Sequence, residues 1–248
     1  MNLKALIIGD ERWIKDDYKT PKFYIGVIFL ILSYAGSIFT DQLAGRITSL
    51  LHPQYAYDTE EFYQFLATNP WDYTAVRIIW LILFFMTLYL TGLRFFYSYD
   101  DLDKKNLFKW FLLGIIILTV LQGISVWMTK VNGSMTANQE LLNKQLVDAN
   151  WGVKAVVFTL LPAFGEELVM RGVVQRYILP NIPYIGILAS AFLFANLHYT
   201  TRISDTLLYF SSGLVFAIAY YKTERLEVTI LLHALNNFIA LILIQMNL

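Results

Sequence analysis

The sequence predicts an all-α fold, a polytopic helical bundle in a membrane with about seven transmembrane helices. Three observations lead there. The 248 residues are 57% hydrophobic and 15% charged, against about 25% charged in a soluble domain. Mean hydropathy is +0.51. The apolar residues also gather into seven runs near the ~20 residues that a spanning helix needs. So few charges cannot cover a soluble globule of this size, and the same composition excludes intrinsic disorder. The 19 Lys and Arg balance 19 Asp and Glu, so no net field draws nucleic acid, and none is expected as a partner. Cysteine is absent, which removes disulfides, thiol nucleophiles, thioester or thioether lipid anchors and cysteine-based zinc sites.

In chain order, residues 1–23 mix both charge signs and lack the short basic start of a signal peptide. Ser33-Tyr34-Ala35 is only a faint cleavage-like site. The first run is 24–40. Residues 41–73 set Tyr55, Tyr57, Phe62, Tyr63, Phe65 and Trp71 among acids, the composition of amphipathic interfacial structure rather than of a docking site. His52 lies there and reads as solvated. The second and third runs are 75–97 and 107–128. The fourth, 151–179, is long and carries Glu166, Glu167 and Arg171. The fifth is 183–199. The sixth, 206–221, is short and aromatic, and the seventh is 226–246. No repeat or low-complexity stretch is visible. The chain divides into an N-terminal transmembrane region, 1–149, and a core, 150–248, that holds nearly all the ionisable groups at membrane depth.

Seven spans with a cytoplasmic N-terminus leave Arg46, Arg77, Lys130, Lys144, Lys154 and Arg202 outside and the other thirteen of the 19 basic residues inside. That bias favours a multi-pass protein of the cell membrane with residues 1–23 in the cytoplasm.

An ionisable group inside an apolar run is costly and marks a functional hypothesis. Three groups qualify. In Glu166-Glu167-Leu168-Val169-Met170-Arg171, Glu167 and Arg171 are four apart and share a helix face, so they can pair. Glu166 points about 100° away, with no basic residue at i+3 or i+4. It is left as a carboxylate with a free edge, able to take and return a proton. The bland alternative is a structural Glu–Arg pair beside a spectator. In Phe194-Ala195-Asn196-Leu197-His198, the histidine ends its run and could be merely interfacial. In His233-Ala234-Leu235-Asn236-Asn237, His233 and Asn237 are again four apart. Both side chains donate hydrogen bonds, and two converging donors can hold an oxyanion. An interhelical hydrogen bond is the simpler reading. At about 1.5 Å per residue from the inner ends, Glu166 lies roughly 20 Å deep, His198 roughly 22 Å and His233 to Asn237 roughly 10–16 Å, depths compatible with one polar cavity.

Taken together, Glu-Glu-x-x-x-Arg, Phe-x-x-x-His and His-x-x-x-Asn on successive apolar segments resemble the CPBP intramembrane proteases. That family includes type II, Rce-like CaaX prenyl endopeptidases and bacterial abortive-infection and bacteriocin-immunity-like membrane proteins. The resemblance spans about 150–245 and makes 150–248 the expected catalytic core. It implies an intramembrane endopeptidase in which Glu166 activates a water and His198 assists. His233 and Asn237 would form the oxyanion hole, and Glu167, Arg171 and Phe194 would support them. The implied substrate is a membrane-associated peptide or protein, for peptide maturation, signalling or bacteriocin self-immunity, and prenylation of it is not implied. No cofactor or metal is expected, although two histidines and a carboxylate could in number hold zinc. Other intramembrane protease classes fit less well. There is no His-Glu-x-x-His, no Gly-x-Ser-x-Gly, and no Asp inside any of the seven runs. Two other functions stay open. One is a membrane immunity or binding protein of the same fold without turnover. The other is a proton-coupled transporter, which the lack of internal repeats disfavours.

Overall fold

Inside a bilayer, backbone N–H and C=O groups must bond within their own segment, so long apolar runs become helices. The computed structural model describes residues 21–69, 71–90, 95–96, 103–146 and 151–246. The chain is an all-α membrane bundle, and no strand occurs among the described residues. The expected cytoplasmic segment lies almost wholly outside them.

Helix α1 (Pro21–Leu51) starts on a proline and runs past the first apolar stretch for 31 residues, about 46 Å. The segment expected to be interfacial therefore begins as the end of α1. It then forms α2 (Glu60–Thr68), capped by Thr59, whose hydroxyl accepts from the Phe62 N–H at 3.2 Å, with Glu60 and Glu61 in the first turn. Phe62 and Leu66 are buried, while Glu61, Tyr63 and Gln64 are exposed, the one-sided pattern of an amphipathic helix. His52 is not simply solvated. Its Nε2 lies 2.7 Å from the Asp72 carboxylate and ties the end of α1 to the start of α3 (Trp71–Leu90).

Helix α4 (Lys104–Asn132) is capped by Asp103 and ends on Gly133, whose φ of 70° is a conformation glycine adopts without strain. Helix α5 (Ala137–Leu146) follows. The fourth run is helical throughout but not uniformly α. It consists of α6 (Trp151–Lys154), a π-helical stretch Ala155–Leu160, α7 (Leu161–Glu167) and a second π-helical stretch Leu168–Ile178. Helices α8 (Pro183–Asn196), α9 (Ile203–Thr223) and α10 (Leu226–Gln245) complete the bundle.

Each of the seven expected runs falls on helix wherever it is described, apart from a few residues at the ends of some runs. Among the described residues, Lys104–Asn132, Ile203–Thr223 and Leu226–Gln245 are long and apolar enough to cross a membrane. Pro183–Asn196 is apolar but has 14 residues, about 21 Å, less than a ~30 Å hydrocarbon core. His198 thus lies beyond the end of α8, not within it.

The second π-helical stretch is the centre of the bundle, buried without interruption from Leu168 to Gln175. Leu168, Val173 and Tyr177 pack with Phe29, Phe95, Tyr220 and Leu226. Val169, Met170 and Val174 pack with Leu118, Phe194, Phe216 and Leu232. A helix buried all round needs no polar face. Large apolar side chains such as Ile116, Val120, Leu188 and Phe192 point outward, as a lipid-facing surface requires.

Candidate active site

Glu167 and Arg171, four residues apart, pair as their spacing predicts. Arg171 Nη1 donates to Glu167 Oε1 at 3.1 Å, and both side chains are fully buried. Arg171 Nη2 donates to the Gly213 carbonyl at 2.7 Å. The guanidinium lies 5.2 Å from the Phe194 ring centroid and 5.5 Å from that of Phe216. A third partner comes from α10, since His233 Nδ1 sits 3.0 Å from the same Glu167 oxygen. A carboxylate only accepts, so His233 holds its proton at Nδ1. Its ring stacks on Phe216 at 4.8 Å between centroids. A buried ion pair persists only when such extra hydrogen bonds satisfy it. Gly213 makes room for this cluster, because a Cβ there would stand 3.1 Å from Ala191 Cα and from the Phe194 ring.

Glu166, one residue earlier, faces a different environment. It lines a cavity of about 460 Å³ together with Phe194, His198, Asn236 and Asn237. It also lines a smaller one of about 220 Å³, walled mainly by Trp80, Leu81, Phe84, Val169 and Met170. Arg77, Pro162 and Leu197 border both cavities, which therefore meet at Glu166. Glu166 Oε2 is buried and has no hydrogen-bond partner among the described residues. Glu167 Oε2 also has none, but Glu167 borders neither cavity. The two glutamates straddle the approach to the second π-helical stretch, and interruptions of this kind recur at functional sites.

His198 is held where α8 unwinds. Its backbone N–H donates to the Ala195 carbonyl at 3.2 Å, and its Nδ1 lies 2.9 Å from the Phe194 carbonyl. A carbonyl cannot donate, so Nδ1 carries a proton, and in the neutral ring Nε2 is bare. The ring stacks on Tyr209 at 4.0 Å and 19°.

Glu166, His198, Asn237 and Phe194 are thus brought to one cavity. His233 is not part of its lining and stands behind it on Glu167. His233 and Asn237 share a helix face, yet their donors go to different acceptors. Asn237 Nδ2 donates to the Phe158 carbonyl at 3.2 Å. Among the described residues, no three His, Cys, Asp or Glu side chains are grouped to hold a metal ion.

Several lining residues were not anticipated. Arg77 borders both cavities, and the rule that singled out Glu166, an ionisable group inside an apolar run, applies to it equally. Gln122 reaches from α4 to Asn236 Oδ1 at 2.9 Å. Thr136, Asn138, Gln139 and Tyr209 also line the larger cavity. No local sequence pattern marks them.

A family model described as type II CAAX prenyl endopeptidase Rce1-like matches residues 148–239, a span that contains all three motifs. The membrane-embedded CAAX protease MroQ of Staphylococcus aureus (strain USA300) is 25% identical over 142 residues, covering 54% of this chain and 57% of that protein. The chain therefore spans little more than half the length of this relative. No solved structure matches it.

Proposed function

We propose that this chain, whose residues 148–239 match the model of the Rce1-like type II CAAX prenyl endopeptidases, is a membrane endopeptidase that hydrolyses a peptide bond with a water activated by Glu166. The observation that carries this reading is the contrast between two adjacent glutamates. Glu166 borders both cavities with a buried oxygen that has no hydrogen-bond partner among the described residues, whereas Glu167 is engaged by Arg171 and His233.

In the proposed reaction, a water held between Glu166 and the bare Nε2 of His198 attacks the carbonyl carbon. Glu166 takes the water's proton as the C–O bond forms. Asn237 turns its amide from the Phe158 carbonyl to the developing oxyanion. His233 has Nδ1 committed to Glu167, so it can donate to the oxyanion through Nε2 only when the ring carries both protons. The C–N bond then breaks. The nitrogen leaves as an amine, taking the proton that Glu166 received, and the other product is a carboxylic acid that ionises. Glu167, Arg171 and Phe194 hold the second π-helical stretch, α8 and α10 in register. No step uses a metal or cofactor. The substrate is a peptide or protein presented at the membrane.

The test is incubation of the purified full chain, in lipid, with a library of membrane-inserting peptides. Product termini are read by mass spectrometry, with Glu166→Gln as control. Defined cleavage by the wild type and none by the variant is the expected result. Peptides bound but never cut by either would favour the immunity-type binding protein instead.

A further inference from the structure

The larger cavity has a roof contributed by residues that precede the family match. Thr136 and α5 form it, with Asn138, Gln139 and Leu142 among the lining. The roof is strongly built. Thr136 and Gln139 cap the helix reciprocally. The Gln139 N–H donates to Thr136 Oγ1 at 3.2 Å, and Gln139 Oε1 accepts from the Thr136 hydroxyl at 3.1 Å. The turn before it is held by Arg202, which donates to the Met135 carbonyl at 2.7 Å and to Ser134 Oγ at 3.2 Å. Arg202 is itself fixed by fully buried Asp205 at 3.0 Å.

The roof reaches into the cavity through the Tyr209 hydroxyl, which bonds the side chains of both Thr136 and Asn138. Thr136 Oγ1 lies 3.1 Å from the Tyr209 hydroxyl. The threonine proton is used on Gln139 Oε1, so Tyr209 is the donor. The same Tyr209 ring lies flat against His198. Phe194 is a second ring neighbour of the imidazole, 4.8 Å away at 47°. With Nδ1 on the Phe194 carbonyl, these contacts leave the imidazole one orientation.

We propose that Tyr209 is the positioning residue of His198: its ring sets the imidazole plane, and its hydroxyl ties that ring to Thr136, so that the seating of the roof over the cavity is transmitted to the imidazole. This builds on the role given to His198 above. A peptide accommodated under Asn138 and Gln139 then meets a histidine already fixed in the cavity that Glu166 lines. The roof residues 136–142 precede residues 148–239, which the family model matches.

The experiment uses the full chain in lipid nanodiscs, labelled with ¹⁵N-histidine. There are only three histidines, and the His198→Gln variant assigns the resonances. Long-range ¹H–¹⁵N spectra report the imidazole tautomer without any substrate, so this arm stands even if peptide hydrolysis fails. Wild type and Tyr209→Phe should show His198 as a single Nδ1–H tautomer. Tyr209→Leu should show a mixture of both tautomers. With the best peptide of the library, Tyr209→Leu should lower kcat about 10–100-fold and change KM little, as expected of a misplaced group. Should the leucine variant fail to fold, Tyr209→Met replaces it in the same comparison. Tyr209→Phe removes the roof tie whole, whereas Thr136→Val leaves the Asn138 contact; Tyr209→Phe should lower kcat/KM about 3–10-fold, the worth of one hydrogen bond, and Thr136→Val no more than that. Combined, they should cost no more than Tyr209→Phe alone. A wild-type His198 tautomer or a wild-type kcat in the folded Tyr209→Leu or Tyr209→Met protein overturns the positioning role. Fully additive losses in Tyr209→Phe with Thr136→Val overturn the tie to the roof.

Discussion

Replacing Glu167 by glutamine should destabilise the fold, and the structure indicates by how much. The carboxylate is fully buried, and one oxygen serves both Arg171 at 3.1 Å and His233 at 3.0 Å. Breaking a buried ion pair typically costs about 3–5 kcal/mol because the remaining charge stays uncompensated. Three features moderate the loss. Arg171 keeps the Gly213 carbonyl at 2.7 Å. It keeps two aromatic faces, each worth about 0.5–2 kcal/mol. The glutamine oxygen still accepts at the Oε1 position, while the new NH₂ falls where Oε2 has no partner. The loss should therefore sit near the lower bound, about 3 kcal/mol. Arg171→Ala strands Glu167 and forfeits the Gly213 bond as well, so it should cost more, about 5 kcal/mol. Glu166→Gln should change stability by less than about 0.5 kcal/mol, because it breaks no ion pair of this kind. Glu167→Gln combined with Arg171→Gln should recover part of the loss. The assay is reversible unfolding in mixed micelles followed by tryptophan fluorescence. A Glu167→Gln midpoint equal to wild type, or a Glu166→Gln midpoint lower than that of Glu167→Gln, would refute this division of labour.

Gly213→Ala should lower the unfolding free energy by about 1–3 kcal/mol through overpacking, since its Cβ would press on the α8 backbone at Ala191; the same unfolding assay measures it. Asn237→Ala and His233→Ala should each reduce kcat about 10²–10³-fold with smaller effects on substrate binding. His233→Ala should also lower the melting temperature because it bonds the buried Glu167 carboxylate, whereas Asn237→Ala, which loses one bond to the Phe158 carbonyl, should lower it less. Cleavage should survive exhaustive treatment with a chelator, and loss of activity restored by added zinc would contradict the metal-independent mechanism.

The membrane bundle and its polar core were legible in the sequence because both follow from short-range rules. Apolar runs of spanning length must be helical, and residues four apart on a helix meet, which is why Glu167 and Arg171 pair as expected. Contacts between distant segments follow no such rule. That His233 bonds Glu167, 66 positions away, depends on how α10 packs against the centre of the bundle. Helical spacing places His233 beside Asn237 but does not say which neighbour each donor will meet. The π-helical stretches were invisible for a different reason. Their altered register is set by packing: Ala155–Leu160 is as apolar as an ordinary span, and the Arg171, Gln175 and Arg176 of Leu168–Ile178 signal polarity, not a change of register. The roof over the cavity was hidden because Thr136 and Tyr209 are ordinary residues, 73 positions apart. Arg77 was legible and overlooked, since it sits inside an apolar run and was counted only for its charge.

The central claim is that Glu166 delivers water to a peptide bond. It is tested most directly by single-turnover cleavage of one membrane peptide in H₂¹⁸O, with peptide affinity measured on the same preparations. The wild type should place one ¹⁸O in the new carboxyl group, and Glu166→Gln should bind the peptide with unchanged affinity yet yield no product. Cleavage by Glu166→Gln at a rate near that of the wild type would contradict the account.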